Sequence, residues 1–161
     1  MVAIAKTAAI RGIKDAKIYG LTSDTSGTIT YGTGIDIPFI QSAPITYNVE
    51  TDQLPGDGVI GDIYSEIQSV SSELKLGHVS LDVLNLITAG TITASGTTPN
   101  QKQTLTVTSG SCPYFKIEGA SKYANTGTQD VKDAHFTIQK AKVSGDIKIN
   151  WTNDGYCDLS F

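Results

Sequence analysis

Gly56, Gly58 and Gly61 spell G-x-G-x-x-G, a spacing that lets backbone N–H groups approach a pyrophosphate. That chemistry needs a strand leading in, a helix opening behind and no negative charge in the cradle. Here Pro55 precedes the first glycine, Asp57 puts a carboxylate inside the turn, and the residues that follow alternate as a strand does, so dinucleotide binding is set aside. Asp52, Asp57 and Asp62 recur every five residues and offer hard oxygen ligands of the kind that hold calcium. Their spacing matches no EF-hand loop, and Asp-Gly steps make turns without any ion. His78 and His135, the two histidines, stand far apart, without the His or Cys spacing of a zinc site. Cys112 and Cys157 read as two reduced thiols, since one pair is no disulfide framework in a chain long enough to build a core. Paired carboxylates of a hydrolase are available among 16 acids, but no constellation singles out two of them. The single tryptophan, Trp151, reads as a core anchor rather than as a ligand platform. No catalytic residue, metal ligand or cofactor site is expected.

The elements that must position these residues are mostly strands. Residues 13–21 alternate, and a Thr/Ser/Gly-rich stretch over 22–34 has turn signals at Ser26-Gly27 and at Gly32 and Gly34. Pro38 and Pro44 bracket Phe39 and Ile40 and confine that piece to an edge or loop, because proline gives the ladder no donor. Residues 43–50 place Ala43, Ile45, Tyr47 and Val49 on one face and Pro44, Thr46, Asn48 and Glu50 on the other, the pattern of a half-buried strand. The block 51–62, rich in Gly and Asp, has no periodicity and reads as an exposed loop; residues 67–76 read as the next strand.

The period then changes. Ser80 caps a helix of about three turns, Asp82 sits in its first turn, and Leu81, Val83, Leu84, Leu86 and Ile87 form its apolar stripe up to Gly90. After a Thr/Gly/Pro-rich connection over 91–100, strands resume at 103–108, 114–119, 134–140, 141–151 and 156–161. Short strands around one helix predict a mainly β fold, an antiparallel sandwich or partial barrel with one short flanking helix, in a single domain over 1–161.

Charge is segregated along the chain. Residues 18–74 hold eight of the 16 acids (Asp24, Asp36, Glu50, Asp52, Asp57, Asp62, Glu66, Glu73) and no lysine or arginine, so all 12 bases lie outside that span. A chain with pI near 5.0 and this distribution is not built to grip nucleic acid by neutralising phosphates. Lys6 and Arg11 interrupt the apolar start well short of the roughly 18 residues a membrane span needs, and 2–5 is too short for the apolar region of a secretory leader.

The order of GIKDAKIYGLTSDTSGTITYG, a strand ending in Glu50, the acidic TDQLPGDG, a strand, the helix SLDVLNLITAG, then PYFKIEG, HFTIQKAKV and a closing aromatic strand resembles the major tail tube protein of long-tailed, siphovirus-like bacteriophages. The resemblance implies a structural virion protein without catalysis, made in the host bacterial cytoplasm. Its copies would form hexameric rings that stack into a tube through which DNA passes without being specifically bound. It implies a lumen-lining hairpin exposing Thr46, Asn48, Glu50, Ser69, Ser71 and Glu73, while Ile45, Tyr47, Val49, Val70, Leu74 and Leu76 pack into the sandwich. It further implies an inter-ring loop at about 51–62, carried by Thr51, Asp52, Gln53, Leu54, Pro55, Gly56, Asp57 and Gly58, and an N-terminal arm over 1–12. The partners implied are copies of the chain itself, tape measure, tail terminator and baseplate or tail-tip proteins, with no membrane. The alternative reading is a secreted β-sandwich adhesin or binding module.

Overall fold

The computed structural model describes residues 9–56, 59–124, 132–153 and 155–161. In chain order the elements are β1 (Ala9–Thr25), β2 (Thr28–Tyr31), β3 (Ile35–Asp36), β4 (Ile40–Ser42), β5 (Ile45–Gly56), β6 (Val59–Ser72) and β7 (Lys75–Leu76). There follow α1 (Leu81–Thr88), β8 (Thr91–Ser95), β9 (Lys102–Thr106), β10 (Phe115–Ala124), β11 (Lys132–Ala141), β12 (Lys148–Asn150) and β13 (Asp158–Ser160). About 60% of the described residues are strand, and the fold is mainly β with one short helix and a curled antiparallel half-barrel sheet, as the alternation predicts.

One sheet has the order β11-β10-β1-β2, with β3 also paired to β1. A second has the order β12-β13-β7-β4. Both contribute to one core. Ala16 and Ile18 of β1 and Phe115 and Ile117 of β10 come from the first sheet; Leu76 and Leu159 come from the second. The helix adds Val83, Leu84 and Ile87, three of the residues in its predicted stripe. Ile18 and Ile117 are direct cross-strand partners, so burying one buries the other.

Local chemistry explains the joints. Ser26 and Gly27 both take positive φ, 49° and 84°, the geometry of a two-residue hairpin turn whose twist matches its strands. Ser80 Oγ accepts the Val83 N–H at 3.4 Å, and α1 stops where Ala89 turns left-handed, one residue before the glycine that marks its end in the sequence. At eight residues α1 has about two turns rather than three. In β10, Gly119 sits opposite Phe136 of β11, and the Phe136 ring occupies the space a Cβ at 119 would need.

Several boundaries differ from the sequence reading. Ala9–Gly12 belong to β1, where Ala9 pairs with Ala124, so only the first eight residues of the expected N-terminal arm remain, and these lie outside the described residues. The expected connection over 91–100 begins with a strand, β8, which pairs with β9. The expected strand 141–151 is reduced to β12, and β4 is indeed an edge strand, as its flanking prolines require.

Candidate functional site: a two-faced ribbon

β5 and β6 form a sheet of their own, a hairpin that pairs with no other strand among the described residues. Its register runs from Ile45↔Ser72 at the root to Gly56↔Val59 near the tip. Twelve residues at about 3.4 Å each make a ribbon roughly 40 Å long. Residues 51–56 and 59–62 are therefore strand and not loop. The predicted loop contains partners for its own residues: Leu54 faces Asp62 and Pro55 faces Ile60, so cross-strand pairing supplies the order that its glycines and aspartates argue against. Asp57 and Gly58 lie outside the described residues. No helix follows Gly61, which removes the context a pyrophosphate-binding turn requires.

The register sorts the ribbon into two faces, because directly paired residues share a face and neighbours along a strand alternate. One face carries Thr46, Asn48, Glu50, Asp52 and Leu54 with their partners Ser71, Ser69, Glu66, Tyr64 and Asp62. Five of the six residues expected to line a lumen stand together there. Glu73 does not: it lies between β6 and β7, in the link from ribbon to body. The sequence reading omitted Asp52, Asp62 and Glu66 from this face. A register break between Asn48 and Val49 shifts the pairing, with Ser69 opposite Asn48 but Ile67 opposite Val49, and this puts Glu66 opposite Glu50.

Hydrogen bonding on this face stays within the ribbon. Asn48 Nδ2 donates to Ser69 Oγ at 2.9 Å, and the Tyr64 hydroxyl donates to Glu66 Oε2 at 3.1 Å. The Asp52 and Asp62 carboxylates accept the N–H groups of Gln53 and Ile63, at 2.9 and 2.8 Å. No lysine or arginine reaches the four carboxylates among the described residues. The two acids of the base-free span that lie in the body behave differently: Asp24 pairs with Lys140 at 2.6 Å and Asp36 with Lys17 at 3.2 Å, and both lysines are held above their ordinary pKa by these partners. Within the base-free span, then, Asp24 and Asp36 of the body are paired with lysines from outside it, while the four carboxylates of this ribbon face are not.

The opposite face carries Ile45, Tyr47, Val49, Thr51 and Gln53 with Ser72, Val70, Ile67, Ser65 and Ile63. These apolar residues were expected to pack into the sandwich. Leu74 and Leu76, beyond the ribbon, do so, but Tyr47, Val70 and Ile63 are exposed, and Val49 and Ile67 keep 56% and 57% of their surface open to solvent. The strand pattern is as expected; the ribbon simply diverges from the body at Ile45 and Ser72 and takes its apolar face with it.

At the ribbon's root a cleft of about 650 Å³ is lined by Ser72, Leu74, Phe115 and Ile117 and by Lys142 and Lys148. Ser72 Oγ is buried there without a hydrogen-bond partner. Elsewhere Lys116 lies over the rings of Tyr19 and Tyr31, 4.2 and 5.0 Å from their centroids, and pairs with Glu118 at 2.7 Å. This lysine and the Tyr19 hydroxyl hold the Glu118 carboxyl below its ordinary pKa, while the bond to Glu118 and then burial raise that of Tyr19. Cys112 and Cys157 are both free thiols. Among the described residues no three His, Cys, Asp or Glu side chains cluster as a metal would need, and no helix is long and apolar enough to cross a membrane. No protein-family model matches the chain, and no curated protein is significantly similar to it.

Proposed function

We propose that this chain is a structural subunit that assembles with copies of itself into a tube, in the manner of the tail tube proteins it resembles. The observation that carries the reading is the ribbon, whose apolar and acidic faces are both open to solvent in the single chain. An isolated two-stranded hairpin is marginal in water, and one that also exposes a row of Tyr, Val and Ile side chains and two unpaired strand edges calls for a partner. Six copies placed side by side supply it: each ribbon's edges pair with its neighbours', the apolar faces are covered by the surrounding bodies, and the acidic faces close on a common lumen. A wall of Glu50, Asp52, Asp62, Glu66, Asn48 and Ser69 repels phosphate and offers it no counter-charge, so DNA slides through without binding.

In this reading ring-to-ring contact falls to the outer part of the ribbon, from Thr51 onward, as an extended two-stranded tip. The tube is a virion component whose ends meet tape measure, terminator and tail-tip proteins, and the subunit performs no catalysis. Electron microscopy of the concentrated protein tests the proposal. Tubes of uniform diameter built from stacked rings are expected; a chain that stays monomeric at high concentration, with the ribbon protease-sensitive throughout, overturns it.

A further inference from the structure

Trp151, expected in the core, is 76% exposed, and Tyr156 is 85% exposed. Both line a shallow basin of about 690 Å³ together with Gln41, Ile149, Asn150 and Asp158. We propose that this basin is a carbohydrate-binding site for oligosaccharides of β-linked, gluco-configured pyranoses. The rings of such sugars have a flat C–H face and a rim of equatorial hydroxyls. Recognising them takes an exposed aromatic ring for the face and planar amide or carboxylate groups for the rim.

Both are present. Gln41, Asn150 and Asp158 make no side-chain hydrogen bond among the described residues, so their donors and acceptors are unspent beside the two aromatic rings. Gly77 leaves room for Gln41: a Cβ there would sit 3.0 Å from Gln41 Nε2. The platform is braced as well. Phe39 meets His78 edge to face with centroids 4.1 Å apart, and His78 meets Tyr156 edge to face at 5.9 Å. Thr152 Oγ1 donates to the Tyr156 carbonyl at 3.3 Å. A Tyr156 ring held by His78 before a ligand arrives loses little entropy on binding, which is what a weak, shallow site depends on. The amide and carboxylate groups of Gln41, Asn150 and Asp158 beside the aromatic rings match the hydroxyl rim of such a sugar.

Trp151 is the only tryptophan, so its emission reports the site directly. Titrating the full chain with cellotetraose and with tri-N-acetylchitotriose should shift or quench that emission saturably, with half-saturation near or below about 1 mM. Tyr156→Ala and Asn150→Ala, both at exposed positions that leave the reporter in place, should each weaken the response about tenfold with an unchanged melting temperature. The proposal is overturned by an absence of saturable change with either sugar up to about 10 mM, by wild-type binding in both variants, or by a loss of self-association in Tyr156→Ala without any sugar response. The last result would make the patch a contact between copies. Should Tyr156→Ala alter the fold, Asn150→Ala and Gln41→Ala decide.

Discussion

Replacing Val49 and Ile67 together by threonine separates folding from assembly. The two side chains face each other across the ribbon and each has a little over half of its surface open. Threonine keeps the β-branched shape and the strand propensity, and in the single chain its hydroxyl is solvated, so the monomer's stability should move by no more than about 0.5 kcal/mol. Assembly is a different matter. Fully burying a valine or isoleucine side chain contributes about 1.5–3 kcal/mol, and roughly half of that remains to be gained at each position, or about 1.5–3 kcal/mol for the pair. Losing it should raise the concentration at which the protein polymerises by roughly tenfold to a hundredfold, and hydroxyls buried without partners would raise it further. Light scattering against concentration, checked by sedimentation velocity, measures the shift, and a urea melt of the dilute protein measures the monomer. An unchanged polymerisation threshold would refute the assembly role of the apolar face. A strongly destabilised monomer would show instead that this face packs on its own body.

Two further outcomes follow from the body. Gly119→Ala places a methyl group where the Phe136 ring lies, and it should cost about 1–3 kcal/mol of unfolding free energy in denaturant, with no change in the spectrum of the ribbon's tyrosines. Glu118 titrates below its unfolded value because of Lys116 and Tyr19, so the stability it contributes is present above the unfolded glutamate pKa and is lost as pH falls through the lower, folded value. Glu118→Gln should therefore flatten the acid limb of a stability–pH curve and leave its slope near neutrality alone; a wild-type acid limb in that variant would refute the assignment.

The parts legible in the sequence are those governed by short-range chemistry. Alternation identifies β1 and β10 and their buried residues Ala16, Ile18, Phe115 and Ile117, and the change of period with Ser80 identifies α1. The Ser26-Gly27 turn and the edge position of β4 follow from glycine and proline geometry. The site was half legible. Thr46, Asn48, Glu50, Ser69 and Ser71 share a face because period-2 alternation holds along each strand. Asp52 and Asp62 were missed because Asp, Pro and Gly, residues of low strand propensity, punctuate the tip half of the ribbon, and Glu66 because the shift in pairing past Asn48 is a property of the pair of strands rather than of either one.

What the sequence determines by itself, then, is the faces: which residues point the same way, where the chain turns, and that a base-free acidic stretch exists. Whether a face is covered is decided in three dimensions, because alternation reports only the contrast between two sides of a strand, and a ribbon that leaves the body shows the same contrast as one packed upon it. For that reason Val49 and Trp151 read as core residues in one dimension and stand in solvent in three, where Asp24 and Asp36 find lysines and, among the described residues, Glu50, Asp52, Asp62 and Glu66 find none.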